Sequence, residues 1–269
     1  MPKVSIIMAT YNCESTLRGS IDSILHQSYK DWEFVICDDC SKDSTFSILK
    51  EYEQKYPGKF VILQNEKNLK LSFSLNHCLD NCKGDYIARM DGDDISVENR
   101  LERQVQFLDE HPEYALVGTS MLPFNEKGDR PIRYAKPEPN KNDMLNRSPF
   151  FHATIMMRKE AYNMIDRYLV SKRTTRAQDY DMWFRFFARG LKGYNLQEPL
   201  YRVLEDDNAI RRRTFKTRCH EVQTRLIGYR LLNYPLYKYI YAFKPILAAI
   251  TPVGVMQWFH EVTDKKSGL

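Results

Sequence analysis

The feature that most limits what this chain can fold into is an alternation in its amino-terminal third. Short apolar runs that read as strands, residues 4–9, 32–37, 60–64 and 86–90, alternate with stretches of helical period at 14–27, 45–56 and 72–82. Strands separated by helices pair in parallel rather than as hairpins, with helices on both faces of the sheet. The expected class is therefore α/β: a Rossmann-like, mostly parallel central sheet flanked by helices. Three strands end in polar or acidic clusters, Thr10-Tyr11-Asn12, Asp38-Asp39-Cys40-Ser41 and Asp91-Gly92-Asp93-Asp94. Ends of parallel strands share one edge, where such sheets bind ligands. The clusters are expected to converge there.

The third cluster carries the strongest chemical signal. In Arg89-Met90-Asp91-Gly92-Asp93-Asp94, three carboxylates fall within four residues. Like charges so close repel unless a cation joins them. A hard divalent ion suits oxygen ligands and is often held by one or two carboxylates plus substrate phosphates. The competing reading is an acidic turn that caps the next helix. No Gly-x-Gly-x-x-Gly follows the first strand and no P-loop is present, so a nucleotide would be held another way.

Composition narrows the partners. The chain has 269 residues, enough for one domain plus an appendage. Its net charge of +5 is uneven, with +7 in residues 207–269 and −2 in the rest. A basic, aromatic end suggests an anionic surface or a phosphorylated partner, and no nucleic-acid module is visible. Met1-Pro2-Lys3 enters an apolar strand without a leader pattern. No run reaches the ~18 apolar residues of a membrane span. The six cysteines are thus expected as reduced thiols of a cytoplasmic protein. Cys37-x-x-Cys40 and Cys78-x-x-x-Cys82 can be read as zinc ligands, but their strand and helical contexts fit small buried thiols better.

Further along, residues 98–111 read as an amphipathic helix and 114–118 as a strand. Residues 123–142 read as a long loop near the site, a lid ordered by the acceptor. Two short strands are expected at 194–196 and 200–203. A helix opens at Gln178-Asp179-Tyr180-Asp181, where Asp179 or Asp181 would serve as cap. His152 lies in an apolar run and is read as a core residue or acceptor contact rather than a metal ligand.

Several blocks together resemble the family-2 inverting glycosyltransferases of the glycosyltransferase-A fold, in their capsule, exopolysaccharide and O-antigen branch. They are the first strand ending Thr10-Tyr11-Asn12, then Asp38-Asp39-x-Ser41-x-Asp43-x-Thr45, then Asp91-x-Asp93-Asp94 with Arg100-Leu101. Phe151-His152-Ala153-Thr154 and Gln178-Asp179-Tyr180-Asp181-Met182-Trp183 follow in the same order. The likeness covers residues 1–205. It implies a catalytic domain with a nucleotide-binding half (about 1–120) and an acceptor-binding half (about 121–205), and leaves 206–269 as a basic, aromatic helical extension.

The resemblance also implies roles. Thr10, Tyr11 and Asn12 would line the nucleotide, with Tyr11 against a uracil ring. Asp39 would accept the uracil N–H. Asp91 would contact the ribose or assist the metal, and Asp93 would bind Mn²⁺ or Mg²⁺. Asp94 would cap the next helix or orient Asp93. Lys70, where relatives often carry Gly, would touch the diphosphate or be solvated. The general base would be Asp179; relatives have Glu-Asp where this chain has Gln178-Asp179, which leaves the duty of the missing Glu, orienting the acceptor, in question. Arg211 and Arg212 would meet a diphosphate or simply start a helix. The processive Gln-x-x-Arg-Trp motif is absent, so one sugar per acceptor is expected.

The expected activity is transfer from a nucleotide sugar, UDP-linked, to a saccharide acceptor carried on a polyprenyl diphosphate. The alternatives are a sugar-1-phosphate nucleotidyltransferase and a non-catalytic saccharide- or membrane-binding protein. Residues 226–259, rich in Tyr, Phe, Trp and basic side chains, are expected to lie on the inner membrane surface, or to pack on the domain or a second copy in a homodimer.

Overall fold

The computed structural model describes residues 1–205 and 214–246. Arg211 and Arg212, and nearly all of the apolar run after 244, lie outside the described residues. Within them the strands are β1 (Val4–Thr10), β2 (Trp32–Asp38), β3 (Phe60–Gln64), β4 (Tyr86–Arg89), β5 (Ile95–Ser96), β6 (Leu116–Asn125), β7 (Gly128–Asp129), β8 (Met156–Arg158) and β9 (Gly193–Leu204). The α-helices are α1 (Leu17–Leu25), α2 (Thr45–Lys55), α3 (Leu71–Asn81), α4 (Arg100–Glu110), α5 (Lys159–Met164), α6 (Gln178–Ala188) and α7 (Phe215–Leu231).

The sheet runs β3-β2-β1-β4-β8-β6-β9-β5, with β7 paired to β6. The block β3-β2-β1-β4 is parallel throughout. β8 is antiparallel to both β4 and β6, whereas β6 and β9 are parallel. The first strands are almost entirely buried because helices cover both faces, which is why they read as continuous apolar runs. Successive side chains still alternate between faces. Ile6, Met8, Phe34 and Ile36 join one core with α1, α2 and α4. Ile7, Val35, Cys37 and Ile87 join the other with α3 and α6. Cys78 and Cys82 are also buried there.

The structure corrects the expected elements in three places. Residues 193–204 form one strand, not two; extra residues on either side of Pro199 bulge from it, while β6 pairs residue by residue opposite them. The expected loop at 123–142 begins as the end of β6, turns into β7, returns by a bridge from Met121 to Arg133, and ends in a 3-10 turn at Lys141–Leu145. β8 is only three residues long, too short for periodicity to reveal.

The carboxyl-terminal segment docks on the domain. α7 crosses α6 so closely that a Cβ on Gly228 would lie 2.1 Å from Cδ2 of Phe184. Tyr229, Leu232, Tyr234 and Ala242 enter the same core as α6, and the Tyr234 hydroxyl donates to the Lys141 carbonyl. Beyond α7, the 3-10 stretch Leu236–Phe243 leaves Leu236 (85%), Tyr237 (73%), Ile240 and Phe243 exposed.

Candidate active site

The parallel register places Thr10 opposite Asp38 and Ile7 opposite Arg89, so the ends of β1, β2 and β4 meet on one edge. The Asp39 N–H donates to the Thr10 carbonyl at 2.8 Å, joining the first two clusters directly. Thr10 is buried and its hydroxyl has no partner. The next residue, Tyr11, is 48% exposed, with its ring at the open edge. Asn12 takes a left-handed backbone (φ 51°). Its N–H donates to Ser41 Oγ (3.0 Å) and its Oδ1 accepts from Lys42 N (2.8 Å). Asp38 accepts from Ser41 N, Ser41 Oγ and Gln64 Nε2. Asn12 thus ties the two loops together, while Asp38 braces its own loop against the end of β3.

Asp39 is buried and held by neutral donors. Its Oδ1 accepts from Asn65 Nδ2 and Leu69 N, and its Oδ2 from Lys70 N, each at 2.8 Å. To present that N–H, Lys70 adopts φ 73° and ψ 166°, a region that only glycine occupies without strain. Its side chain is exposed.

The acidic turn is differently built. Arg89, fully buried in β4, pairs with Asp91 Oδ1 at 2.7 Å and donates to the Met90 carbonyl. Burial opposes the Arg89 charge most strongly, but the combined attractions of Asp91, Tyr168 and Tyr201 outweigh it and raise the pKa. The Asp91 N–H donates to the Tyr201 hydroxyl. Asp94 is buried and accepts the Leu204 N–H at 2.8 Å. It therefore fastens the end of β9 and does not cap the next helix, whose capping position is Asn99. Burial, then repulsion from Asp91 and Asp93, pushes Asp94 up to about 8. Asp93 is solvent-exposed and makes no ion pair among the described residues. Desolvation and the neighbouring Asp91 raise its pKa.

A cation would relieve that repulsion, so the donor set fits a hard divalent ion. Among the described residues no three His, Cys, Asp or Glu side chains gather to hold one unaided. An ion at Asp93 would take its other ligands from phosphate oxygens and water.

A buried cluster beside the acidic turn is organised by Tyr168. Its hydroxyl meets His152 Nε2 at 2.8 Å and Tyr162 Oη at 3.3 Å. It feels the charges of Arg89, Asp91 and Asp179 together, while burial pushes its own pKa up to about 12. This buried hydroxyl lies within electrostatic reach of both the acidic turn and the start of α6. His152 packs on Tyr168 and Trp183; burial and the charge of Arg89 hold its pKa well below the ordinary value, so the ring is neutral. Asp179 is the second residue of α6. The capping position is Ala177, and Asp181 pairs with Arg173 and Arg185 at 2.8 Å each. Neither aspartate is the cap. Gln178 has a buried Oε1 without a partner.

Several of these partners were not singled out from sequence. Arg89 could have been, because a charged residue in a strand otherwise apolar has to find a counter-ion. Asn65, Tyr168 and Tyr201 carry no local signal.

An α/β sheet with polar and acidic clusters at its strand ends on one edge, and an acidic turn at the end of β4, has the glycosyltransferase-A fold. Among solved structures, residues 1–349 of S. aureus TarS in complex with UDP-GlcNAc match with a TM-score of 0.70 at 19% identity, over 91% of this chain and 71% of that one. Mannosyltransferase PcManGT from Pyrobaculum calidifontis, in complex with GDP-Man and Mn²⁺, matches with a TM-score of 0.61 at 16% identity, over 98% and 80%. The chain belongs to glycosyl transferase family 2, whose model matches residues 5–166. The putative glycosyltransferase EpsE of Bacillus subtilis is 48% identical over 100% of this chain and 97% of its own length. The UDP-Glc:alpha-D-GlcNAc-diphosphoundecaprenol beta-1,3-glucosyltransferase WfaP of Escherichia coli is 28% identical over 76% and 78%.

Proposed function

We propose that this glycosyltransferase moves a single hexosyl or N-acetylhexosaminyl unit, with inversion, from a UDP-sugar to a saccharide carried on a polyprenyl diphosphate, in the assembly of a bacterial surface polysaccharide. The observation that carries the reading is the convergence of three groups. An acceptor corner at Asp39 lies beside the exposed Tyr11, an exposed carboxylate stands at Asp93, and Asp179 shares the field of Tyr168 with Asp91. Thr10, Tyr11, Asn12 and Asp39 would receive the base, Asp91 the ribose, and Lys70 the diphosphate. Mn²⁺ or Mg²⁺ at Asp93, assisted by Asp91, would neutralise the charge that develops on the leaving diphosphate. Asp179 takes the proton from the acceptor hydroxyl, which is a poor nucleophile near neutral pH. His152 and Gln178 line the acceptor side, where Gln178 Oε1 awaits a donor.

TarS and PcManGT share this fold with different donors, so the base rests on Asp39 and Tyr11 rather than on the fold. Membership of family 2 argues against the nucleotidyltransferase alternative. The exposed apolar residues of 236–243, with Lys238 among them and Lys244 after them, support contact with an anionic membrane surface. No helix among the described residues is long and apolar enough to cross a membrane.

Calorimetric titration of UDP, GDP and CDP, with Mn²⁺ and with EDTA, tests the reading. Metal-dependent UDP binding is expected, with Asp179→Asn keeping that binding but losing turnover of UDP-sugars. No nucleotide binding in either condition would point to the non-catalytic binding protein instead.

A further inference from the structure

Asn65 is buried below the base corner, and every polar atom of its side chain is used. Nδ2 donates to Asp39 Oδ1 (2.8 Å) and to Ser74 Oγ (2.9 Å). Oδ1 faces His77 Nδ1 (3.1 Å) and Cys37 Sγ (3.5 Å). Ser74 Oγ itself donates to the Lys70 carbonyl, so it can only accept from Asn65. Turning the amide over would set its carbonyl against the Asp39 carboxylate and its NH₂ against a thiol. The surroundings therefore fix one orientation.

That orientation controls what Asp39 can still accept. A carboxylate has about four acceptor positions. Asn65 and Leu69 N take both on Oδ1, and Lys70 N takes one on Oδ2. One position on Oδ2 is left. A carboxylate oxygen with one open acceptor position accepts an N–H and repels a lone pair. Uracil offers an N–H at N3, whereas cytosine presents a lone pair there.

We propose that Asn65, locked by His77 and Ser74, is the positioning residue that makes Asp39 select a nucleobase carrying a ring N–H over cytosine. The inference rests on the reading of Asp39 as the base acceptor and adds the groups that enforce it. Asn65 acts through Asp39 and need not touch the nucleotide. His77, half-buried on α3, supports Asn65 from the side away from Asp39.

The test uses the full chain with Mn²⁺ and calorimetric dissociation constants for UDP, CDP and N3-methyl-UDP, alongside melting temperatures. The wild-type protein should favour UDP over both others by at least about tenfold, because a site built around one N–H rejects analogues without it. The near-isosteric Asn65→Asp sets a second carboxylate against Asp39. Such pairs share a proton, and a protonated Asp39 donates where cytosine accepts. The UDP-to-CDP preference should then fall by about tenfold or more. His77→Ala leaves Asp39 untouched and should lower the preference by about threefold, as expected for a loosened hydrogen bond. Two independent variants keep the test intact if one of them is unstable.

Melting temperatures that fall while the UDP-to-CDP ratio stays at the wild-type value would make Asn65 a structural residue only and overturn the inference. A wild type that binds UDP and CDP equally would overturn it too. A wild type that binds no UDP would sink the underlying base reading, and this inference with it.

Discussion

Asp38 and Asp39 stand on one side of β1, and Asp91, Asp93 and Asp94 on the other, at the same edge of the sheet. The first pair accepts six hydrogen bonds from neutral donors, three on each carboxylate. The second group holds one ion pair, one backbone contact and an exposed carboxylate, and the pKa values of Asp93 and Asp94 are raised. Neutral donors stabilise a carboxylate without needing anything more. Crowded carboxylates store repulsion that a cation releases. One residue type thus yields a preformed corner and a charge-hungry turn, and the neighbours make the difference.

The largest expected effect tests the charge-hungry side. Asp93→Ala should lower sugar transfer about a thousand-fold, the scale for removing a group that stabilises developing charge. It should also abolish the metal dependence of UDP binding, read by calorimetry. Retained metal-dependent binding would erase the contrast between the two clusters.

Arg89→Met comes next. It leaves Asp91 without its partner and should destabilise the fold by about 2–3 kcal/mol in urea denaturation. That lies at or below the low end for broken buried pairs, because Asp91 is itself 31% exposed.

Asp94 should then give a pH signature. Its folded pKa of about 8 lies far above the unfolded value of about 4. Between those values the folded state holds a proton that the unfolded state has released, so stability falls as pH rises from about 4 to 8. Asp94→Asn keeps an acceptor for Leu204 N–H without the charge. In EDTA its melting temperature should exceed that of the wild type at pH 8, and the advantage should shrink towards pH 5. A constant difference across that range would show that Asp94 does not carry the proton.

The smallest effect belongs to the preformed corner. Lys70→Gly should raise stability by about 1 kcal/mol, since relief of the backbone strain outweighs the entropy that glycine adds to the unfolded chain. Thermal melting reads it directly. A loss of stability would mean that the Lys70 side chain contributes more than its backbone costs.

How far the sequence could be read follows the same division. Parallel strands with helices between them, and polar clusters at 10–12, 38–41 and 91–94, were visible because periodicity and turn chemistry are local. The merging of two expected strands into β9 was not visible, because Pro199 looks like a break unless the residues around it can bulge while the strand stays paired to β6. Asp94 looked like a cap for the same reason: Asp before a helix usually is one, and only β9 supplies the Leu204 N–H that claims it.

By itself, then, the amino-acid sequence determined that this chain builds an α/β sheet with its chemistry on one edge, and that carboxylates at Asp39, Asp93 and Asp179 stand at element ends. Those facts depend on residues close together along the chain. What state each carboxylate is in was decided by tertiary structure alone. Asn65 reaches Asp39 across 26 residues, Lys70 N across 31, and Leu204 N reaches Asp94 across 110. Such partners leave no periodic trace, because hydrogen bonds and desolvation depend on distance in space and not on distance along the chain.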